Sequence, residues 1–253
     1  MNDTAPDPRF TRVELLIGPE NAGKLHAATV AVAGLGAVGS FAVEALARSG
    51  VGHLLLYDFD TIHHSNFNRQ LYALESTAGQ QKSGVAAQRV RDISPSCSVE
   101  AIQLFIDEDT APQIASRKPD VVIDAIDSVN PKATLIRTMV KAGIPVISAM
   151  GAATRTDPSL VAVADLADTH GCPLARMMRK RLRKHDITTG VRCVYSTETP
   201  RTAMTDERLA ADEERTIERG RPRPPLGSLA PIPGIVGLIA AREAMDIILA
   251  NTL

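Results

Sequence analysis

The sequence predicts an α/β fold, a doubly wound and mostly parallel sheet with helices on both faces and a basic, partly irregular insertion before the C-terminal helix. Two observations carry this expectation. Apolar runs suited to buried parallel strands recur at Thr29 to Ala33, His53 to Tyr57, Ser98 to Gln103, Val121 to Asp124 and Pro145 to Ser148. Helical patterns lie between them, and strands alternating with helices indicate parallel pairing. The first helix, Val38 to Ser49, carries Phe41, Leu46 and several alanines and stops at Gly50, a residue suited to ending helices. A second, Gln81 to Ile93, halts before Ser94-Pro95, because proline restricts the residue before it.

After about Asp168 the texture changes. Ala175 to His185 favours a helix and gathers Arg176, Arg179, Lys180 and Arg183 at neighbouring positions, a basic face. Thr202 to Arg223 is a mixed-charge, acid-leaning stretch leading into Arg-Pro-Arg-Pro-Pro, which reads as an exposed excursion. The final helix is expected from Gly234 to Leu249. Leu226 to Ala241 contains Pro231 and Pro233 and is followed by Arg242-Glu243, so it is too short and broken to span a membrane and reads as a buried connection running into a core helix. One domain follows: a core with an N-terminal helix over 1–168, the basic helix and exposed insertion over 169–225, and a C-terminal helix over 226–253 that returns to the core.

Length and composition set limits on function. The 253 residues, 44% hydrophobic, can bury one sizeable core. With 3% aromatic residues and no Trp, base stacking on exposed aromatic platforms is disfavoured. A net charge of −1 excludes a uniformly basic protein but not a local patch. The three cysteines, Cys97, Cys172 and Cys193, are widely separated and form neither a disulfide framework nor a CxxC knuckle, which suits a reducing cytoplasm. Met1 to Arg9 lacks the basic start and apolar middle of a secretory signal. His63-His64 has no third partner at metal-ligand spacing, so no transition-metal site is expected.

The chemistry concentrates behind the first strand. Gly34-Leu35-Gly36-Ala37-Val38-Gly39 follows it directly, and Asp58 closes the next strand. Glycines at those positions permit a tight turn, close approach of a phosphate and helix-to-strand packing, and the helix N-terminus offers unpaired N–H groups to the anion. The acid about 20 residues on is placed to accept from ribose hydroxyls. This is a Rossmann-like nucleotide site. Asp60, Asn66, Arg69, Gln70 and Lys82 follow as a polar group that a dinucleotide site does not need. Taken alone, Arg69 is an ordinary surface arginine; with its neighbours it suits phosphate neutralisation. Asp127, just past a strand end, suits either a cap for the helix near Asn130-Pro131 or a Mg²⁺ ligand.

Together, Arg9-Phe10-Thr11-Arg12, Gly34 to Gly39, Asp58-Phe59-Asp60, Asn66-x-Asn68-Arg69-Gln70, Lys82 and Asp124-Ala125-Ile126-Asp127 resemble the ubiquitin-activating-type (ThiF/MoeB-like) adenylating superfamily. Within it, Ile123 to Val129 followed by Pro131-Lys132, and Val191 to Glu198, resemble the tRNA threonylcarbamoyladenosine dehydratase branch. The resemblance implies a ligase-type enzyme using ATP and Mg²⁺, in which a carboxylate attacks the α-phosphate to give an acyl-adenylate and pyrophosphate. It implies that Gly34, Gly36, Ala37 and Gly39 cradle the phosphates, with Ala37 replacing a glycine common in the family. Asp58, with Asp60 and Gln70 beside it, would hold the nucleotide, and Asn66, Arg69 and Lys82 would neutralise the leaving pyrophosphate. Asp127 would hold Mg²⁺, and Arg12 would reach into the neighbouring subunit of a homodimer.

In that branch the activated carboxylate belongs to threonylcarbamoyladenosine beside a tRNA anticodon. A nucleophile of the same modified base closes a ring, and AMP leaves. Arg176, Arg179, Lys180 and Arg183 would meet the tRNA. Cys193 suits either the thioester chemistry of ubiquitin-activating relatives or a buried small hydrophobe. The resemblance also admits a sulfur-transfer partner protein. The alternative reading is an enzyme that adenylates the C-terminus of a ubiquitin-like sulfur carrier, though bacterial members of that class usually carry paired CxxC ligands, and this chain has none.

Overall fold

The computed structural model describes residues 7–201 and 226–250. Among them, strands β1 (Thr29–Ala33), β2 (His53–Tyr57), β3 (Ser98–Ile102), β4 (Val121–Asp124), β5 (Val146–Ala149), β6 (Val161–Asp165) and β7 (Arg192–Ser196) form one sheet. Its order is β3-β2-β1-β4-β5-β7-β6. Every pair is parallel except β6 with β7. Strand order reverses beside β1, which pairs with β2 on one side and β4 on the other, so a crevice opens at the C-terminal ends of β1 and β4.

The sequence pattern explains which strands are central. β4 and β5 are buried along their whole length and β1 along all but its first residue, as continuous apolar runs require when both faces are covered. Successive β1 residues divide between the two cores: Val30 and Val32 face one, Ala31 and Ala33 the other. On the first face lie α3 (Gly39–Arg48), α4 (Lys82–Ile93) and α8 (Pro231–Ile248); on the second lie α5 (Ala111–Ser116), α6 (Val129–Lys141) and α7 (Pro173–Leu182). α8 approaches the start of α3 so closely that a Cβ at Gly237 would stand 2.3 Å from Val38 O. Two short helices, α1 (Thr11–Ile17) and α2 (Pro19–Ala27), precede β1. α1 buries no residue, and Leu15 and Leu16 are 81% and 84% exposed.

The expected elements form, with shifted ends. α3 and α4 each begin one residue later than expected, whereas α7 begins at Pro173, where the fixed φ of proline suits a first helical turn, and stops at Leu182 before a 3-10 turn at Arg183–His185. α8 begins at Pro231 for the same reason. β6 and β7 were not expected: β6, antiparallel at the sheet edge and half-buried, carries an apolar run, Val161 to Ala164, much like that of β1, and β7 lies in the stretch read as the basic insertion rather than as part of the sheet. The connection expected to be buried is partly exposed. Leu226 and Leu229 are 58% and 55% exposed, because this stretch crosses the surface and gives its carbonyls away: Gly227 O accepts from Thr154 N at 2.8 Å and Ser228 O from Asn68 Nδ2 at 2.9 Å. The excursion expected over 203–225 lies outside the described residues. No helix of the described residues is long and apolar enough to cross a membrane.

Candidate active site

β1 runs into the glycine turn at the crevice. Gly34 has φ 88°, and its N–H donates to Tyr57 O at 2.8 Å. A Cβ there would meet Ala125 O at 2.8 Å, and one at Gly39 would meet Gly34 O at 1.8 Å, so both positions exclude a side chain. Gly36 has more room, with the Gln70 amide 3.6 Å from where a Cβ would stand. Gly34, Gly36 and Ala37 are half-buried, which leaves backbone accessible at the start of α3. Nearby N–H groups and the helix dipole suit this turn to an anion.

Asp58, following β2, faces the turn. Its Oδ2 accepts Leu35 N at 2.6 Å and its Oδ1 accepts Asp60 N at 2.9 Å. Burial pushes its carboxyl above the usual value, against the pull of Lys82 and the two backbone donors. Lys82 opens α4 and is 6% exposed; its Nζ lies 2.5 Å from Asp60 Oδ2. Asp60 Oδ1 in turn accepts Thr61 N at 2.9 Å and stands 3.6 Å from His63 Nε2.

Asn66 ends the 3-10 turn His64–Asn66 and is buried. Its Oδ1 accepts His63 N at 3.2 Å, and its carbonyl accepts the N–H of Arg69 at 3.1 Å and of Gln70 at 3.0 Å. The residue expected to meet phosphate thus also shapes the loop that presents Arg69 and Gln70. Arg69 Nη1 donates to Ser65 O and to Asn68 Oδ1, both at 2.8 Å.

Across the crevice, Asp127 is exposed in the loop between β4 and α6, and Ser128 Oγ donates to its Oδ1 at 3.4 Å. A single exposed carboxylate beside a phosphate cradle fits Mg²⁺, which takes one or two protein carboxylates and completes its shell with phosphate oxygens and water.

Behind this loop lies a network that sequence reasoning did not assign. Asp124 and Lys132 are both fully buried; Asp124 Oδ2 accepts Lys132 Nζ at 2.8 Å and Ser148 Oγ at 2.6 Å, while Oδ1 accepts Ile126 N at 3.2 Å. The pair therefore fixes the backbone next to Asp127. Its signal was present in α6, where Lys132 falls on the inward stripe with Val129, Ile136 and Met139.

Other expected residues sit elsewhere. The ring of Phe10 covers Gly50, past the end of α3, with ring carbon Cδ1 3.3 Å from where a Cβ at Gly50 would stand. Arg12, two residues on in α1, therefore lies near the far end of α3 from the glycine turn of its own chain. Arg176, Lys180 and Arg183 are exposed on one face of α7 and the 3-10 turn behind it. Arg179 departs from this pattern. It turns inward, its Nη1 donating to Thr169 O at 2.7 Å, to Leu166 O at 3.2 Å and to Thr169 Oγ1, because its position borders the buried stripe of Ala175, Met178 and Leu182. Cys193 is fully buried in β7, its Sγ donating to Val191 O at 3.5 Å, and burial pushes its thiol far above the ordinary value. A thiol so held is a packing group rather than an accessible nucleophile.

Comparison with known proteins agrees with this fold. The model of the ThiF family matches residues 10–252. The tRNA threonylcarbamoyladenosine dehydratase of Bacillus subtilis (strain 168) is 43% identical over 241 residues, 95% of this chain and 94% of that protein. Among solved structures, E. coli tRNA N6-threonylcarbamoyladenosine dehydratase, TcdA, in complex with AMP superposes with a TM-score of 0.85 at 34% identity, covering 96% of this chain and 94% of the other. The same enzyme in complex with ATP gives 0.83 at 35% identity and the same coverage.

Proposed function

The chain belongs to the ThiF family, in the branch of the tRNA threonylcarbamoyladenosine dehydratases, and from that premise we propose that it binds ATP in the crevice and cyclises threonylcarbamoyladenosine next to the tRNA anticodon. The observation that carries the reading is convergence: the Gly34 to Gly39 turn, Asp58 and the Lys82–Asp60 pair meet where the strand order reverses.

The carboxylate oxygen of the modified base attacks the α-phosphorus, the bond to the β-phosphate oxygen breaks, and pyrophosphate leaves. A nucleophilic atom of the same ureido group then attacks the acyl carbon and gives up its proton. AMP departs carrying the former carboxylate oxygen, which accounts for the loss of water. Both steps gain from positioning, the second because it is intramolecular.

Asp58 accepts from the ribose while holding the turn. The turn N–H groups, Lys82 and Arg69 oppose the charge growing on the phosphates, and Asp60 keeps the Lys82 ammonium aimed at them. Asp127 would hold Mg²⁺, which would supply positive charge to offset that of the phosphates. Neither step requires a protein nucleophile, consistent with the burial of Cys193.

Arg12 serves the partner subunit's site in a homodimer. α3 has 10 residues, so at roughly 1.5 Å per residue the end beside Phe10 is about 15 Å from the glycine turn. The exposed Leu15 and Leu16 support a role for α1 between subunits. Arg176, Lys180 and Arg183 contact tRNA phosphates. The test is release of AMP from ATP labelled at the α-phosphate: it requires tRNA carrying threonylcarbamoyladenosine and is absent with tRNA lacking that group. AMP release independent of the modification would contradict the reading.

A further inference from the structure

Arg155 carries a guanidinium that the described protein does not neutralise. The residue is 3% exposed, and its Nη1 donates to Ala153 O at 2.8 Å. Among the described residues neither Nε nor Nη2 has a hydrogen-bond partner. Glu198 anchors the next two residues, accepting Thr156 N at 2.9 Å and Asp157 N at 3.0 Å, but its ion pair is with Arg201 at 4.0 Å. Arginine does not lose its proton in proteins, and a buried charge without a partner is strongly unfavourable. An anion would supply the counter-charge that the described residues do not. Nε–H and the nearer Nη2–H lie along one edge of the planar group, the fork that matches two carboxylate oxygens.

The position favours a ligand at the crevice. Arg155 lies in the loop that leaves the C-terminal end of β5, next to β4 in the sheet. Thr154, just before it, has φ 61°, a strained conformation for a β-branched residue and one that persists where function requires it. Thr154 N donates to Gly227 O at 2.8 Å, the adjacent Ser228 O accepts Asn68 Nδ2 at 2.9 Å, and Asn68 Oδ1 accepts Arg69 Nη1 at 2.8 Å. A line of hydrogen bonds thus ties the Arg155 loop to Arg69. Gly151 lies beside the guanidinium: a Cβ there would stand 3.4 Å from Arg155 Nη1 and 3.6 Å from Cys172 Sγ, ordinary contact distances.

We propose that Arg155 receives the threonyl carboxylate of threonylcarbamoyladenosine and holds it for activation, an assignment that rests on the dehydratase reading. A carboxylate at the end of a slender arm can reach a buried guanidinium edge. A backbone phosphate, flanked by two riboses, needs an exposed one. Arg155 therefore selects for the modification rather than for the tRNA as a whole.

The test compares wild type, Arg155→Gln and Arg155→Lys in equilibrium binding, without ATP, to two tRNAs of one sequence, with and without the threonylcarbamoyl group. Wild type should prefer the modified tRNA. Arg155→Gln should lose roughly 30-fold or more in affinity for the modified tRNA and nothing for the unmodified one, and Arg155→Lys, charged but lacking the fork, should fall between. Thermal unfolding without ligand separates recognition from scaffolding, because removing an unpartnered charge should not lower the midpoint. Equal loss on both tRNAs, no loss on either, no wild-type preference, or a lowered midpoint with Arg155→Gln would each overturn the assignment. Wild type that dehydrates modified tRNA while Arg155→Gln binds it normally sinks this assignment alone; wild type that neither prefers nor dehydrates it overturns the dehydratase reading as well.

Discussion

Asp58 Oδ2 accepts the backbone N–H of Leu35 at 2.6 Å, so the acid that follows β2 holds the glycine-rich turn that follows β1. Its other oxygen holds Asp60 N, and Asp60 in turn holds Lys82. One carboxylate therefore sets the shape of the glycine-rich turn and, through Asp60, fixes the position of the Lys82 ammonium.

Asp58→Ala should weaken ATP binding by more than about tenfold, since a charge-assisted contact and the form of the turn are lost together. Lys82→Ala should leave ATP affinity within a few-fold and slow adenylation by roughly 10²-fold, because the charge it opposes grows toward the transition state. Calorimetric titration and single-turnover kinetics separate the two effects. Burial raises the Asp58 carboxyl above its ordinary value of 3.8, so the acceptor is lost, and ATP affinity falls, at a higher pH on acidification than for an ordinary aspartate.

Lys132→Met should destabilise the fold by about 3–5 kcal/mol, since it strands the fully buried Asp124 carboxylate without its cation. Asp124→Asn combined with Lys132→Met should recover part of that loss. Urea denaturation at neutral pH measures both, and additive losses in the double variant would contradict a direct pair.

Much of this was legible in the sequence, for identifiable reasons. The central strands announce themselves because both their faces are covered, which leaves unbroken apolar runs such as Val121 to Asp124. β6 does not, despite a similar run, Val161 to Ala164, because it pairs antiparallel at the edge and so breaks the strand–helix alternation that marks the others. The glycine turn, Asp58 and Lys82 were readable because their spacing reflects a strand, a turn and a helix in fixed succession. The Asp124–Lys132 pair was harder: a lysine in a helix reads as solvent-facing until the register of α6 places it inward. Arg179 illustrates the same limit, since charge pattern identifies a basic helix but only packing tells which arginine serves the helix itself. Arg155 carries no local sequence signal, because its meaning comes from the lack of partners for Nε and Nη2 among the described residues, which only packing reveals.

Replacing Arg176, Lys180 and Arg183 together with Ala should flatten the salt dependence of tRNA binding and raise the KM for tRNA, with ATP affinity unchanged. Each lost phosphate contact removes about 0.7–0.9 from the log–log slope. Arg179→Ala should instead lower thermal stability, because Thr169 O loses the Arg179 donor, while Leu166 O keeps its bonds from Thr169. A wild-type slope in the triple variant would place the tRNA elsewhere.

Arg12→Ala and Lys82→Ala, each strongly impaired alone, should regain activity when mixed under conditions of subunit exchange, because one site of each hybrid dimer then carries both side chains. No recovery despite demonstrated exchange, or full activity in a monomer, would remove Arg12 from the partner's site.

The most direct test of the central claim is nucleoside mass analysis of tRNA bearing threonylcarbamoyladenosine after incubation with the protein, ATP and Mg²⁺. The account predicts that the modified nucleoside loses the mass of one water, in proportion to AMP formed, and that omitting ATP abolishes the change. An unaltered nucleoside alongside AMP formation, or adenylation of a carrier-protein C-terminus in its place, would contradict it.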